Sequence, residues 1–431
     1  MKKIISFLLS LVLLVSCSNE NEVLDFAQEP SDNPASTIRT PDEALALAKQ
    51  ALNLGTTKSR SGLKLSKNNI VVVGSNPLSR GEASDTVIYA VNSEDNNGFV
   101  LVAAPRTCPN PILGIAENGS YNESVSENEN FNYFMEQARA YAARPNPSDS
   151  TITIMPAYIE KVYYCLLKDN VHPDVEWGEK WPENTFCNNG LAGCVPVAIA
   201  QTLAFFEYPN GINISFPGAK VSHQTLHWSE LKKHTRAGLP QNPSLSDMMG
   251  HFDACTASVD THDELATLVR QLGLLTGTHY EYDVSYSDDN GFTTTKSLLS
   301  GMNLKYSTGT NPDELYNLFS EKENEGKHIA MLNGKDKAKN YEHTWLSDDY
   351  MLGGTIVEYY ERGTGQLVKT EDRTSKYLRM NWGWAGLCNG YFLLNVFNPT
   401  ERYDILQNPE GGESEDYDLT DEFSYMFIET N

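Results

Sequence analysis

The sequence predicts an α+β protein in which a helical half is followed by a sheet half, with a smaller unit of strands and helices ahead of both. Three observations carry this. Residues 195–206 form an almost unbroken apolar run closed by Pro209, the pattern of a short buried helix. Residues 263–275 and 312–325 are apolar at helical spacing, whereas 327–332 and 376–380 downstream read as strands. Short β-branched runs at 69–74, 86–91 and 98–103, separated by Asn, Asp and Gly, read as an early meander. Grouped helices and grouped strands, rather than strict alternation, are the signature of the α+β class.

In chain order, Met1, Lys2 and Lys3 supply a positive start, residues 4–15 an apolar stretch, and Ser16-Cys17 a lipoprotein-type processing point. The stretch falls short of the ~20 residues a membrane-spanning helix needs, so 1–16 is expected to be a signal peptide and Cys17 the lipidated N-terminus. Ser18 after that cysteine resembles outer-membrane sorting of bacterial lipoproteins, on either the periplasmic or the cell-surface face, with release after processing. Residues 17–36 are polar, with Pro30 and Pro34, and suit a tether. Thr40, Pro41 and Glu43 make a capping box with proline at the first helical position, and residues 44–52 continue as a helix. After the meander, Phe131, Phe134, Met135 and Ala138 share one helix face within 131–144. The first unit is therefore expected over 37–144, a Pro/Ser/Asn-rich linker over 145–156 and the main body over 157–431.

In the main body, Gly190 and Gly193 lead to Cys194 at the mouth of the apolar helix. A buried free cysteine is usually only a small hydrophobe. At a helix N-terminus, however, exposed N–H groups and the positive dipole end lower a thiol pKa, and the thiolate is the nucleophilic form. A histidine in Glu342-His343-Thr344-Trp345 and an asparagine in Asn381-Trp382-Gly383-Trp384 follow, and the order Cys, His, Asn fits a thiol nucleophile assembled in space.

Gly193-Cys194 before an Ala/Val-rich helix ending at Tyr208-Pro209, with Asn381-Trp382-Gly383-Trp384 later, resembles the streptopain family of secreted bacterial cysteine proteases. The similarity runs weakly over 155–400. It implies a papain-like α+β fold, with the nucleophile helix in one half and an antiparallel sheet in the other. It also implies roles: Cys194 as nucleophile, His343 as base, Asn381 orienting that base, and Trp382 as an aromatic shield over the His–Asn contact. The family places a glutamine shortly before the histidine as an oxyanion donor, and the corresponding place holds Asn333, shorter by a methylene. Residues 37–144, with Ile112 to Ile115 before Asn118-Gly119, resemble the pro-domain of streptopain-like zymogens. That domain is expected to dock over the cleft as an intramolecular inhibitor until a cut near 144–170 releases it.

Composition narrows the remaining classes. A formal charge of -24 over 431 residues argues against nucleic acid or an anionic membrane surface as partner, leaving protein or peptide substrates and a membrane link through the N-terminal lipid alone. The acidic stretch 410–418 reads as a solvated loop that matches no EF-hand spacing. Besides Cys17 and Cys194, five cysteines remain, and a Cys187–Cys388 bridge would join the two motif-bearing stretches, although spacing does not decide connectivity. His223 and His227 are four apart but lack a further ligand pattern, so neither metal nor cofactor is expected. Two rivals share the motifs: a cell-wall peptide hydrolase or acyl transferase on the same fold, and a surface-binding lipoprotein with a dead site.

Overall fold

The computed structural model describes residues 38–53, 63–74, 86–95, 97–122, 128–143, 158–165, 175–188, 190–234, 259–281, 284–321, 327–336, 341–360, 364, 366–397 and 422–431. The signal segment, Cys17, the tether to residue 36, the 145–156 linker, Cys255 and the acidic stretch 410–418 lie outside the described residues. Among the described residues, no helix is long and apolar enough to cross a membrane.

The capping box forms as expected. The Glu43 N–H donates to Thr40 Oγ1 at 3.3 Å and the Thr40 N–H to Glu43 Oε2 at 2.7 Å, satisfying donors that the first turn of α1 (Pro41–Asn53) leaves open. Strands β1 (Leu65–Gly74), β2 (Thr86–Ser93), β3 (Phe99–Ala103) and β4 (Ile112–Ala116) form the meander, each antiparallel to the next. Helix α2 (Glu129–Ala142) follows, its N-cap Asn128 accepting from the Phe131 N–H at 2.9 Å. Then come β5 (Tyr158–Cys165) and the apolar helix α3 (Cys194–Phe206). A small hairpin, β6 (Gly211–Asn213) and β7 (His223–Thr225), leads to α4 (Val259–Leu275), which packs against α3. A second hairpin, β8 (His279–Glu281) and β9 (Val284–Tyr286), precedes α5 (Phe292–Leu298), β10 (Leu304–Gly309) and α6 (Pro312–Glu321). The chain ends in strands: β11 (His328–Asp336), β12 (Tyr341–Tyr360), β13 (Leu367–Asn381), β14 (Gly390–Leu393) and β15 (Glu422–Thr430).

These strands form one antiparallel sheet in the order β1-β2-β3-β4-β14-β13-β12-β11-β15-β10, with β5 alongside the far half of β12. The first unit is therefore not a separate lobe resting on the body. Its last strand pairs with β14, Tyr391 opposite Ile115 and Phe392 opposite Gly114, so both units share a sheet. Side chains reinforce the seam: Arg379 donates to Glu117 at 3.0 Å and to both oxygens of buried Asp348, and Tyr377 Oη donates to the Ile112 carbonyl at 3.0 Å. An edge strand otherwise presents unpaired backbone groups, and the β4–β14 pairing covers that edge on both units.

Successive side chains point to opposite faces of a strand, which divides the core in two. Ile329 and Met331 of β11, Leu346 of β12, and Met426 and Ile428 of β15 pack under α3 and α4. Ala330, Leu332, Trp345, Phe423, Tyr425 and Phe427 point the other way, into a core shared with the meander and α2. The sheet is thus sandwiched between the cysteine-bearing helix and the helix of the first unit.

Candidate active site

Cys194 opens α3 after Gly193, whose φ of 90° is a conformation glycine adopts without a Cβ penalty. From Val195 to Phe206 the helix is buried throughout, including Gln201 and Thr202. Thr202 Oγ1 donates back to the Ala198 carbonyl at 2.9 Å, and Gln201 Oε1 accepts from the Trp177 N–H at 3.1 Å, so neither polar group goes unsatisfied at that oxygen. Burying each large apolar side chain contributes about 1.5–3 kcal/mol, which anchors the helix and leaves only Cys194, at its first position, half-buried. The loop before Cys194 is braced by the β8–β9 hairpin: Tyr280 Oη donates to the Ala192 carbonyl and Ser285 Oγ to the Leu191 carbonyl.

The Cys194 Sγ lies 3.9 Å from the carbonyl of Glu342, the residue before His343, so the helix mouth and β12 meet as the motif order implied. The imidazole is turned elsewhere. His343 sits opposite Gly334 and two residues before Trp345, on the face that α2 covers, and its ring lies 5.8 Å from that of Tyr133. Asn381 sits opposite Leu346, hence on the α3 face. Its Nδ2 donates to Gln201 Oε1 at 3.0 Å and to the Val175 carbonyl at 3.3 Å, and its Oδ1 accepts from the Gly383 N–H at 3.2 Å. Asn381 does not meet His343 in this arrangement: strand alternation puts the two side chains on opposite faces of the sheet, and Asn381 ties the end of β13 to the cysteine helix.

In this arrangement Trp382 and Asn333 do not make the contacts expected of them either. The fully buried Trp382 ring packs among Phe131, Phe134, Trp345 and Phe392, with Nε1 donating to the Cys388 carbonyl at 2.9 Å, and does not roof a His–Asn contact. Asn333 lies on the α3 face, but its amide donates to Thr344 Oγ1 at 3.1 Å instead of pointing at the thiol.

What covers the site is the start of α2. Buried Asn130 donates through Nδ2 to the Trp382 carbonyl at 2.6 Å and to the Thr344 carbonyl at 3.3 Å. Asn128 Nδ2 reaches the Leu387 carbonyl at 3.1 Å, and Phe131 meets Trp382 edge to face at 5.9 Å. Tyr133 occupies the space above Gly334, where a side chain would collide with its ring.

The electrostatics differ from what a bare helix end provides. Burial, then the nearby Glu179 carboxyl and, more weakly, Glu129 of α2, push the Cys194 thiol well above its ordinary range, although the Thr344 and Val195 backbone groups favour the thiolate. The thiol is thus raised rather than lowered in this arrangement, because burial desolvates the sulfur and the Glu179 and Glu129 carboxyls set negative charge near it. Glu179 is itself buried, and burial together with Glu129 pushes its carboxyl up to about 8. Motif spacing does not single out this residue. The signal was an acid set between two tryptophans and shortly before the cysteine loop. Cys187 and Cys388 are both buried free thiols, so the bridge considered between them is absent. His223 and His227 do not converge either, His223 meeting Asn213 Oδ1 at 3.0 Å and His227 meeting Glu264 Oε2 at 2.9 Å.

Comparison with known proteins agrees with the motif reading. The peptidase C10 family model matches residues 174–392, and the Spi protease inhibitor model matches residues 35–142. Streptopain of Streptococcus pyogenes serotype M28 is 22% identical over 431 residues, covering 93% of this chain and 94% of that protein. The thiol protease/hemagglutinin PrtT of Porphyromonas gingivalis is 21% identical over 349 residues, covering 74% of this chain and 35% of that protein. No solved structure gives a significant match. With half of its length matched by the one model and its first unit by the other, this chain belongs to the peptidase C10 family, papain-like cysteine endopeptidases, and carries an Spi-type inhibitor domain.

Proposed function

We propose that the protein is exported, anchored through a lipidated Cys17 in a bacterial outer membrane, and held latent by residues 37–144 until cleavage releases an endopeptidase acting on extracellular protein. Cys194 is its nucleophile and His343 its base. One observation carries this reading: the Cys194 thiol and the Glu342–His343 segment meet beneath the helix of a domain that the protease inhibitor model matches.

The latent geometry explains itself by contacts. The register of β12 keeps the imidazole on the face beside Tyr133, Asn130 clamps the β12 and β13 backbones, and burial keeps the thiol protonated. Loss of α2 removes Glu129, admits water and frees the Glu342–His343 end of β12 to shift in register, which brings the imidazole to the sulfur's side of the strand. The thiol then regains the benefit of the helix N-terminus, and a thiolate–imidazolium pair forms. The thiolate attacks a peptide carbonyl, the C–S bond forms and the carbonyl π pair moves to oxygen. As the tetrahedral intermediate collapses, His343 gives its proton to the leaving amine, and water later hydrolyses the thioester. The Cys194 backbone N–H faces the developing oxyanion.

The test is casein hydrolysis by purified full chain before and after limited proteolysis, with mass-spectrometric mapping of the new N-terminus. Activity is expected only after the cut, and is expected to vanish in Cys194→Ala. Undiminished turnover in that variant would sink the assignment. An N-terminal peptide from cells carrying unmodified Cys17 would sink the lipid anchor while leaving the protease reading intact.

A further inference from the structure

Gln201 and Thr202 are buried polar side chains in the middle of apolar α3, and they are used differently. Thr202 bonds back to its own helix, whereas Gln201 reaches out to two other segments. Seven positions after Cys194, Gln201 lies within about 20° of the same helix face and about 10 Å deeper. Its Oε1 accepts from the Trp177 N–H at 3.1 Å and from Asn381 Nδ2 at 3.0 Å, and Asn381 Nδ2 also donates to the Val175 carbonyl at 3.3 Å. Backbone groups fix which end of each amide faces which neighbour. The Trp177 N–H can only donate, so the Gln201 oxygen must face it, and that oxygen and the Val175 carbonyl both require the Asn381 NH2. The Asn381 oxygen is left on the other side, where the Gly383 N–H takes one of its two lone pairs at 3.2 Å. Turning the Asn381 amide over would set its oxygen against two acceptors and its NH2 against a donor.

Gln201 serves this network as an acceptor alone. Its Nε2 is buried with no hydrogen-bond partner among the described residues, a cost that an apolar side chain in this helix would not carry. Every member of the network lies at or beyond Val175, so a cut near 144–170 leaves it whole. We propose that Gln201 is a positioning residue of the peptidase: by holding the Asn381 NH2, it presents the Asn381 carbonyl oxygen to the His343 imidazole once the first unit has left and the ring has come to the sulfur's side of β12. The proposal rests on Cys194 and His343 being the reacting pair and on the role that the family resemblance implies for Asn381. With the oxygen presented, one ring nitrogen keeps its proton toward Asn381 and the other is left for the sulfur. With the NH2 presented, the nitrogen beside it would have to accept, which excludes the doubly protonated ring of a thiolate–imidazolium pair.

The experiment uses full chain activated by cleavage and measures kcat and KM on casein for wild type, Gln201→Met, Gln201→Glu, Asn381→Ala and the Gln201→Met/Asn381→Ala double variant. Circular dichroism at the assay temperature checks that each is folded, and Gln201→Leu, equally without an acceptor, replaces Gln201→Met if that variant is not. Misplacing a catalytic group costs up to about 10²-fold, so Gln201→Met is expected to lower kcat by about 10–10²-fold with KM within about threefold of wild type. Gln201→Glu keeps an acceptor oxygen whether charged or neutral, and is expected to recover most of the loss. Because Gln201 acts through Asn381, the double variant is expected to fall no further than Asn381→Ala alone, whereas a residue that only supports the helix would add its loss to the other. Gln201→Met with the kcat of wild type, Gln201→Glu as slow as Gln201→Met, two losses that multiply in the double variant, or Asn381→Ala as fast as wild type would each overturn the proposal. Wild type that neither hydrolyses casein nor labels at Cys194 with iodoacetamide would instead overturn the nucleophile assignment.

Discussion

Asn130→Ala should make the uncut precursor leak. The Asn130 amide is buried at the contact between the two units and donates to two backbone carbonyls of the peptidase half, Trp382 at 2.6 Å and Thr344 at 3.3 Å. Alanine leaves both acceptors without that donor in the docked state, while exposure of the site restores them to water. At about 1 kcal/mol for each buried hydrogen bond, docking weakens by about 2 kcal/mol. That corresponds to about a 30-fold rise in the open fraction. The assay is the rate at which iodoacetamide labels Cys194 in intact precursor, quantified on its own peptide to separate it from the free thiols Cys108, Cys187 and Cys388. Mass spectrometry must show that the chain remains uncut throughout, so that labelling reports opening rather than processing. A labelling rate equal to wild type, in a variant with an unchanged melting midpoint, would refute the idea that this contact restrains the site.

Cys194→Ala and His343→Ala should each lower turnover of the activated enzyme by several orders of magnitude, as removal of members of one covalent mechanism does. A His343 variant as fast as wild type would place the base elsewhere. Asn381→Ala removes three buried hydrogen bonds, to Gln201, Val175 and Gly383. It should cost about 3 kcal/mol in urea unfolding, and an unchanged midpoint would show that these bonds do not join β13 to the cysteine helix. Gly390→Ala would drive a Cβ into the Ile115 carbonyl of the first unit, so it should destabilise the precursor more than the activated enzyme, from which Ile115 has gone and only the strain of a side chain at a φ of 156° remains. Equal losses in the two forms would argue against the β4–β14 seam. Glu179 has its folded-state pKa raised, by burial and Glu129, to about 8 from 4.5, so the stability tied to its proton is present below the unfolded value and lost as pH rises through the folded one. Precursor unfolding measured across that window should show wild type losing stability relative to Glu179→Gln, and a constant difference would mean that the acid is not buried as described.

The local elements of this protein were legible in its sequence because each rests on neighbouring residues. The capping box at Thr40, the apolar helix behind Gly193 and Cys194, the β-branched meander and the amphipathic α4 and α6 all follow from spacing and turn chemistry, and they appear within a few residues of where those rules place them. The two motifs that carry the family resemblance were legible for the same reason, since a thiol at a helix mouth and an Asn-Trp-Gly-Trp turn are short stretches. Relations between distant strands were not. Whether β4 pairs with β14 depends on matching two edges far apart in the chain, and no local pattern records it. The face on which His343 points depends on the register of β12 against β11 and β13, where a shift of one residue exchanges the faces, so its separation from Asn381 emerged only in three dimensions. Glu179 shows the same limit: an acid between tryptophans reads as solvent-facing in one dimension, and only the convergence of the 175–179 segment, the 190–193 loop and α2 makes it a buried neighbour of the thiol.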